Sequence, residues 1–271
     1  MRLTGARAGT AIAACALPPV FGFVIPAAVL VSLLVETGAP AREFSQHLLH
    51  SLTLAAIAAA VAVATAFLLA YARKASPRTI AGRAAGIAGM GYAVPGAVIA
   101  IGVLAPFALF DNSLDTFFRN VFGVSTGLIL TGSIAGLVFA YVVRYLAVAL
   151  QSLSAGLERI TPSLGNAARL LSRGNWDAMR RVYLPLVAPS ALTASLLVFV
   201  DVMKELPATL MLRPFNFDTL AVAAHNYAAD ERLGYAAAPS LALVAAGIVP
   251  CILLMHGISA AARRSGAPPA H

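Results

Sequence analysis

The chain has 271 residues, with 19 lysines and arginines against 11 aspartates and glutamates, and a mean hydropathy of +0.84. Charged residues make up 11%, under half of the roughly 25% of a soluble domain. Apolar residues reach 60%, more than one core of this length can hide from water, so a water-soluble enzyme and a disordered chain are both excluded. The net charge of +8 does not point to nucleic acid, because the basic residues sit in short clusters between apolar runs rather than on one exposed face.

Six segments have the roughly 20 mostly apolar residues that a membrane crossing needs: 14–35, 51–71, 86–110, 126–149, 186–206 and 239–261. In the first, Ile12-Ala13-Ala14-Cys15 resembles a lipoprotein cleavage box, but the apolar run before it is too short for a signal-peptide core. Cys15 and Cys251 lie far apart in apolar stretches, with neither disulfide nor metal-ligand spacing. The second segment carries no charge from Ser51 to Tyr71. The third and fourth are rich in glycine, and the spacing of Gly132 and Gly136 suits close helix packing.

The loops predict the topology. Basic residues gather in the N-terminal tail (Arg2, Arg7), the second loop (Arg73, Lys74, Arg78, Arg83), the fourth loop (Arg159, Arg169, Arg173, Arg180, Arg181) and the C-terminal tail (Arg263, Arg264). The opposite loops hold Arg42, Arg119, Arg213 and Arg232. Lysine and arginine accumulate on the cytoplasmic side, so both termini are expected there. No repeat of 20–50 residues is visible, and residues 1–271 read as a single six-helix membrane domain.

Residues 150–185 form the longest cytoplasmic connection. Thr161-Pro162 suits a helix start, and Leu164, Ala167, Ala168 and Leu171 then repeat at helical spacing, with Asn166, Arg169 and Arg173 off that stripe. Gly174 suits a helix stop and Asn175 the cap of a second short helix, carrying Trp176, Met179 and Tyr183 on one side and ending at Pro185. Periodicity leaves two readings open: a helix pair lying on the anionic lipid leaflet, or a docking element for a cytoplasmic partner.

Asp201, Lys204 and Glu205 follow at the end of the fifth segment. Asp201 is about 22 Å along a helix counted from Leu186, which places this cluster toward the external interface. Asp201 and Lys204 can pair three residues apart, with Glu205 beside them. An interfacial ion pair and a cavity-facing site are both compatible with that depth. Arg144, late in the fourth segment, is expected to snorkel to the cytoplasmic face. The external stretch 207–239 carries Asp218, His225, Tyr227, Asp230 and Glu231, hard donors that suit ferric iron as well as a solvated loop.

Asn166-Ala167-Ala168, followed by Ser172 and ending in Val182-Tyr183-Leu184-Pro185, resembles the cytoplasmic loop of binding-protein-dependent ABC importer permeases, whose pattern is Glu-Ala-Ala, three residues, Gly, nine residues, an aliphatic residue, any residue and Leu-Pro. The resemblance runs over essentially the whole chain. It takes in Gly91-Tyr92-Ala93-Val94-Pro95-Gly96, Ala140-Tyr141-Val142-Val143-Arg144, Asp201 through Thr209, Leu212-Arg213-Pro214-Phe215, Phe217-Asp218-Thr219-Leu220 and Asp230-Glu231-Arg232-Leu233. The later stretches are similar to the C-terminal half of ferric-iron-type permeases. Two positions depart from the pattern: Asn166 stands for glutamate and Ser172 for glycine.

This resemblance implies an all-α, six-span type I importer permease of the bacterial inner membrane, with no catalytic residues and no cofactor of its own. It assigns ATPase coupling to Leu164, Asn166, Ala167, Ala168, Leu171, Ser172, Gly174, Leu184 and Pro185, and makes Asp201, Lys204 and Glu205 candidate pathway residues. The partners it implies are two ATP-binding subunits, a second six-span unit (another copy or another half), and an external substrate-binding protein, with ferric iron as cargo. Losing the Glu carboxylate at Asn166 removes one charge-assisted contact to the ATP-binding subunit.

Absent motifs point the same way. The chain has two lysines, Lys74 and Lys204, neither in a phosphate-cradling Gly-x-x-x-x-Gly-Lys-Ser/Thr loop. His256 has no partner for intramembrane hydrolysis, and no metal site is assigned. Thiamine, a polyamine or an oxyanion are the other cargoes considered. A secondary carrier would need discontinuous helices and a charged relay near the midplane, where no acid is expected here. A non-transporting subunit is the third alternative, suggested by Asn166 and Ser172.

Overall fold

A computed structural model describes residues 5–38, 41–75, 80–161, 163–165, 172 and 174–264, and among them every regular element is a helix. Six helical stretches are long and apolar enough to cross a bilayer: Arg7–Thr37, Glu43–Ala75, Gly96–Phe122, Ile134–Glu158, Trp176–Met203 and Leu233–Ile252.

The first stretch is α1 (Ala6–Pro19) running through a π-helical turn, Val20–Val24, into α2 (Ile25–Thr37). Pro26 has no N–H for the carbonyl of Gly22 four residues back, and the widened turn absorbs the clash. The same device recurs where α7 (Asn175–Ala178) passes through the π turn Met179–Tyr183 into α8 (Leu184–Met203), with Pro185 four residues after Arg181. The second short helix of the fourth loop therefore does not end at Pro185. It flows into the fifth span.

Where the third span was expected at 86–110, a short helix α4 (Ile80–Ala88) and a 3₁₀ turn at Gly91–Ala93 precede α5 (Gly96–Phe122). The fourth, expected at 126–149, is α6 (Ile134–Glu158). Gly127 and Gly132 hold positive φ angles of 63° and 69°, and Ser133 caps α6 by accepting the Gly136 N–H at 3.1 Å. A Cβ on Gly136 would overlap the Leu130 carbonyl. Gly132 and Gly136 thus shape the turn into α6 instead of a helix–helix contact.

Two carboxylates of α5 organise that turn. Asp111, fully buried, accepts the N–H groups of Leu130 and Thr131, the latter at 2.7 Å. Asp115 accepts Thr126 N–H at 2.8 Å and the Ser125 hydroxyl at 2.7 Å, and pairs with Arg119 at 2.6 Å.

The centre of the bundle is α3 (Ala41–Ala75) packed on α6 and α8. Its buried face is mostly alanine (Ala55, Ala58, Ala59, Ala62, Ala66 and Ala70), with Ser51, Leu54 and Phe67 beside them. Small side chains let backbones approach where no hydrophobic gain separates protein from lipid. Beyond Met203 the chain breaks and restarts as α9 (Pro207–Leu212), packed on α5 and α6. Then α10 (Leu220–Ala229) is capped by Thr219, and α11 (Leu233–Arg264) closes the bundle against α2 and α10. In the first stretch no residue of Val20–Thr37 is fully buried in this chain, which suits a helix with one face toward lipid.

Candidate functional site

Three stretches far apart in sequence meet at the break between α8 and α9. The break has a local cause. Pro207 cannot donate to the helix and disfavours helical geometry in Leu206, yet is well suited to a first helical position. Glu205 supplies the missing cap: its Oε1 accepts the Ala208 N–H at 3.2 Å. The Thr209 hydroxyl donates to the Glu205 carbonyl at 2.6 Å. Because that uses its one proton, the Tyr141 hydroxyl 2.6 Å away is the donor to Thr209.

From α6, Arg144 Nη1 donates to Glu205 Oε1 at 3.1 Å and the Tyr145 hydroxyl donates to Oε2 at 2.6 Å. The Glu205 side chain is 4% exposed and that of Arg144 21%. From α5, Gly96 fits directly beneath them, since a Cβ there would overlap both Arg144 and Glu205. Gly91 likewise lies against the Val143 carbonyl. The guanidinium also sits 5.5 Å from the Tyr145 ring centre.

Several expectations change here. Arg144 does not snorkel to a helix end: it lies ten residues after Ile134 and fourteen before Glu158, about 15 and 21 Å of helix, and is held in the bundle by Glu205. The charged cluster does not end the helical run, because Pro207 opens another helix; six further residues, about 9 Å, follow the break. Asp201 and Lys204 do pair, at 2.9 Å. Glu205 turns away from them toward α6. An acid does therefore lie deep in the bundle, at a discontinuous helix.

Asp201, whose side chain is 14% exposed, borders a cleft of about 800 Å³ that also meets Arg73, Tyr92, Gln151, Ser154 and Glu158. The cleft runs from the helix break toward the end of the bundle that carries the fourth loop.

Of the coupling positions, Asn166, Ala167, Ala168 and Leu171 lie outside the described residues. Leu164 and Leu184 are about half exposed, at 44% and 43%, and Ser172 is half-buried. Gly165 N–H donates to the Thr161 carbonyl at 3.1 Å, one turn of the first short helix, and Gly174 precedes α7, accepting the Ala178 N–H at 3.0 Å.

At the opposite end, a second cavity of about 490 Å³ gathers Glu43, His47, His50, Asp218 and Tyr227. Tyr227 donates to Glu43 at 2.9 Å, His50 stacks on Phe217 at 4.2 Å and Arg213 pairs with Asp218. Burial, helped by the bond to Glu43, raises the Tyr227 hydroxyl above its ordinary pKa. His225, Asp230 and Glu231 are exposed and do not line this cavity. Among the described residues, no group of three His, Cys, Asp or Glu could hold a metal ion.

The family model described as "Binding-protein-dependent transport system inner membrane component" matches residues 62–264, a range that contains α4 to α11 and the whole helix-break network. The chain belongs to that family. This permease is thus a multi-pass inner-membrane transport component and not itself an enzyme.

Relatives carry different cargo names. The permease is 30% identical over 164 residues to the Fe(3+)-transport system permease protein FbpB 2 of Haemophilus influenzae, covering 60% of this chain and 29% of that one. It is 31% identical over 137 residues to a putative 2-aminoethylphosphonate transport system permease protein, PhnV, of Salmonella typhimurium, covering 51% and 50%. It is 33% identical over 128 residues to the maltose/maltodextrin permease MalG of Escherichia coli, covering 47% and 40%. The permease spans half or less of the length of these relatives. Its fold matches a bacterial alginate ABC transporter chain, crystallised with an alginate-bound periplasmic protein, at a TM-score of 0.64 and 13% identity over 95% of this chain and 96% of that one.

Proposed function

We propose that this permease is the membrane-crossing subunit of an ATP-driven importer whose cargo is ferric iron handed over by an external binding protein. The observation that carries the reading is the convergence of residues 91–96, 141–145 and 201–209 on one helix break, with the Asp201 cleft leading from it. In this reading both termini are cytoplasmic. Two ATP-binding subunits grip the loop formed by Leu164, Asn166, Ala167, Ala168, Leu171, Ser172 and Gly174, whose return stem ends at Leu184 and Pro185. A second six-span unit, a copy of this chain or another half, completes the pathway along Asp201, Lys204 and Glu205. The iron cargo is supported by the FbpB 2 similarity and by the oxygen donors at both ends of the bundle.

Two observations favour other readings. The phosphonate permease similarity and the buried Arg144 fit an oxyanion, although Glu205 already neutralises that arginine. A buried charge pair at a broken helix is also what a secondary carrier uses; family membership supports the ATP-driven alternative.

The test is copurification and uptake. Tagged native permease should recover an ATP-hydrolysing subunit from host membranes, and Leu171→Asp should lose it. Vesicles should then take up radiolabelled ferric iron with MgATP and the host binding protein. Uptake driven by an ion gradient without nucleotide would remove the proposal, and nucleotide-driven uptake of phosphonate in place of iron would change its cargo.

A further inference from the structure

The stems of the fourth loop are both seated on the last turn of α3. On the outgoing side, Lys74 Nζ donates to the carbonyls of Leu157 and Ile160, the latter at 2.8 Å, at the end of α6. The Leu157 carbonyl already accepts the Ile160 N–H at 3.1 Å, and the lysine ammonium adds charge-assisted bonds to these carbonyls at the helix end. On the return side, the buried Tyr183 ring stands edge-on to Tyr71, at 5.1 Å and 70°. The two stems also touch each other, since a Cβ on Gly165 would sit 3.0 Å from the Tyr183 hydroxyl. Above this seat the alanine face of α3 runs from Ala70 to Ala55 between α6 and α8.

That arrangement has a mechanical consequence. A loop fixed only to its own two helices could swing without moving the bundle. Here a displacement of the loop that moves Ile160 or Tyr183 must either break the Lys74 bonds or the Tyr71 contact, or carry α3 with it. A 35-residue helix with a close-packed backbone face is a stiff element able to pass that displacement on. We propose that Lys74 and Tyr71 are positioning residues that deliver movement of the fourth loop to α3, and through it to the cleft beside Asp201. This rests on the loop being the element that an ATP-binding subunit grips.

The test reads cleft opening and needs no cargo. In a permease with Cys15 and Cys251 replaced by alanine, Ser154→Cys reports the cleft, and its maleimide labelling rate is measured with and without MgATP in the complex purified from host membranes. The native background should recover an ATP-hydrolysing subunit and change its labelling rate with MgATP by about fivefold or more. Lys74→Met should recover the same subunit with the same basal hydrolysis but lose the labelling response, and Lys74→Arg should restore it. A Lys74→Met permease that keeps the full response overturns the proposal. Should Lys74→Met fail to assemble, Tyr71→Leu, which leaves the carbonyls capped, decides in the same way. A native complex with no ATP-hydrolysing subunit, or no response to MgATP, removes the proposed function itself, a different failure from a coupled native complex with an indifferent Lys74→Met.

Discussion

Arg144 and Glu205 are 61 residues apart in sequence, and each is tolerable inside the bundle only because the other is there. Removing one partner of a buried pair strands the remaining charge, at a cost of about 3–5 kcal/mol, whereas removing both charges is often close to neutral. Glu205→Gln and Arg144→Met should each lower the melting temperature of the detergent-purified permease, and the combined variant should recover much of that loss. If the two losses simply add, the pair is not the interaction that holds α9 to α6. At this scale the sequence showed what helical geometry fixes locally. Asp201 and Lys204, three residues apart, had to share a face and do pair. Glu205 is one residue further on, so the same rule assigned it to that pair. Its actual partners, Arg144 and Tyr145, come from another helix, and no spacing rule reaches them.

Element boundaries were harder to read than element existence, and prolines and glycines account for most of the difference. Pro185 looked like a terminus, yet a π turn carries the helix through it. Pro207 looked like the end of a span, yet it opens α9. Asp111 and Asp115, two acids within an apolar stretch followed by Ser, Thr and Gly, were a visible sign that α5 pins the turn after it. Gly96 offers the sharpest test of how elements meet, because a comparison position lies on the same helix. A Cβ on Gly102 has nothing within 4 Å, while one on Gly96 would displace Arg144 and Glu205. Gly102→Ala should therefore be neutral or slightly stabilising, by up to about 1 kcal/mol from helix propensity. Gly96→Ala should lower both melting temperature and transport. Equal behaviour of the two variants would mean that α5 does not need to approach the helix break.

At the scale of the whole molecule, hydropathy sufficed for the all-helical architecture, because a bilayer demands long apolar helices with their backbone bonds satisfied within each segment. Which end faces which compartment is a separate question, carried by the basic loops. The proposed placement of both termini in the cytoplasm would put the cleft mouth at Arg73 and Glu158 inside and the Glu43–Asp218 cavity outside. Single cysteines in a background with Cys15 and Cys251 replaced test this directly. His225 and Arg159 are both exposed, at opposite ends of the bundle. A membrane-impermeant maleimide added to intact spheroplasts should label His225→Cys, and should reach Arg159→Cys only after permeabilisation. The reverse pattern would turn the permease over and put the fourth loop beyond the reach of any cytoplasmic ATP-binding subunit. Because lysine and arginine direct insertion through charge, replacing Arg73, Arg78 and Arg83 together with glutamine should blunt this asymmetry, giving partial labelling at both sites instead of a clean exchange.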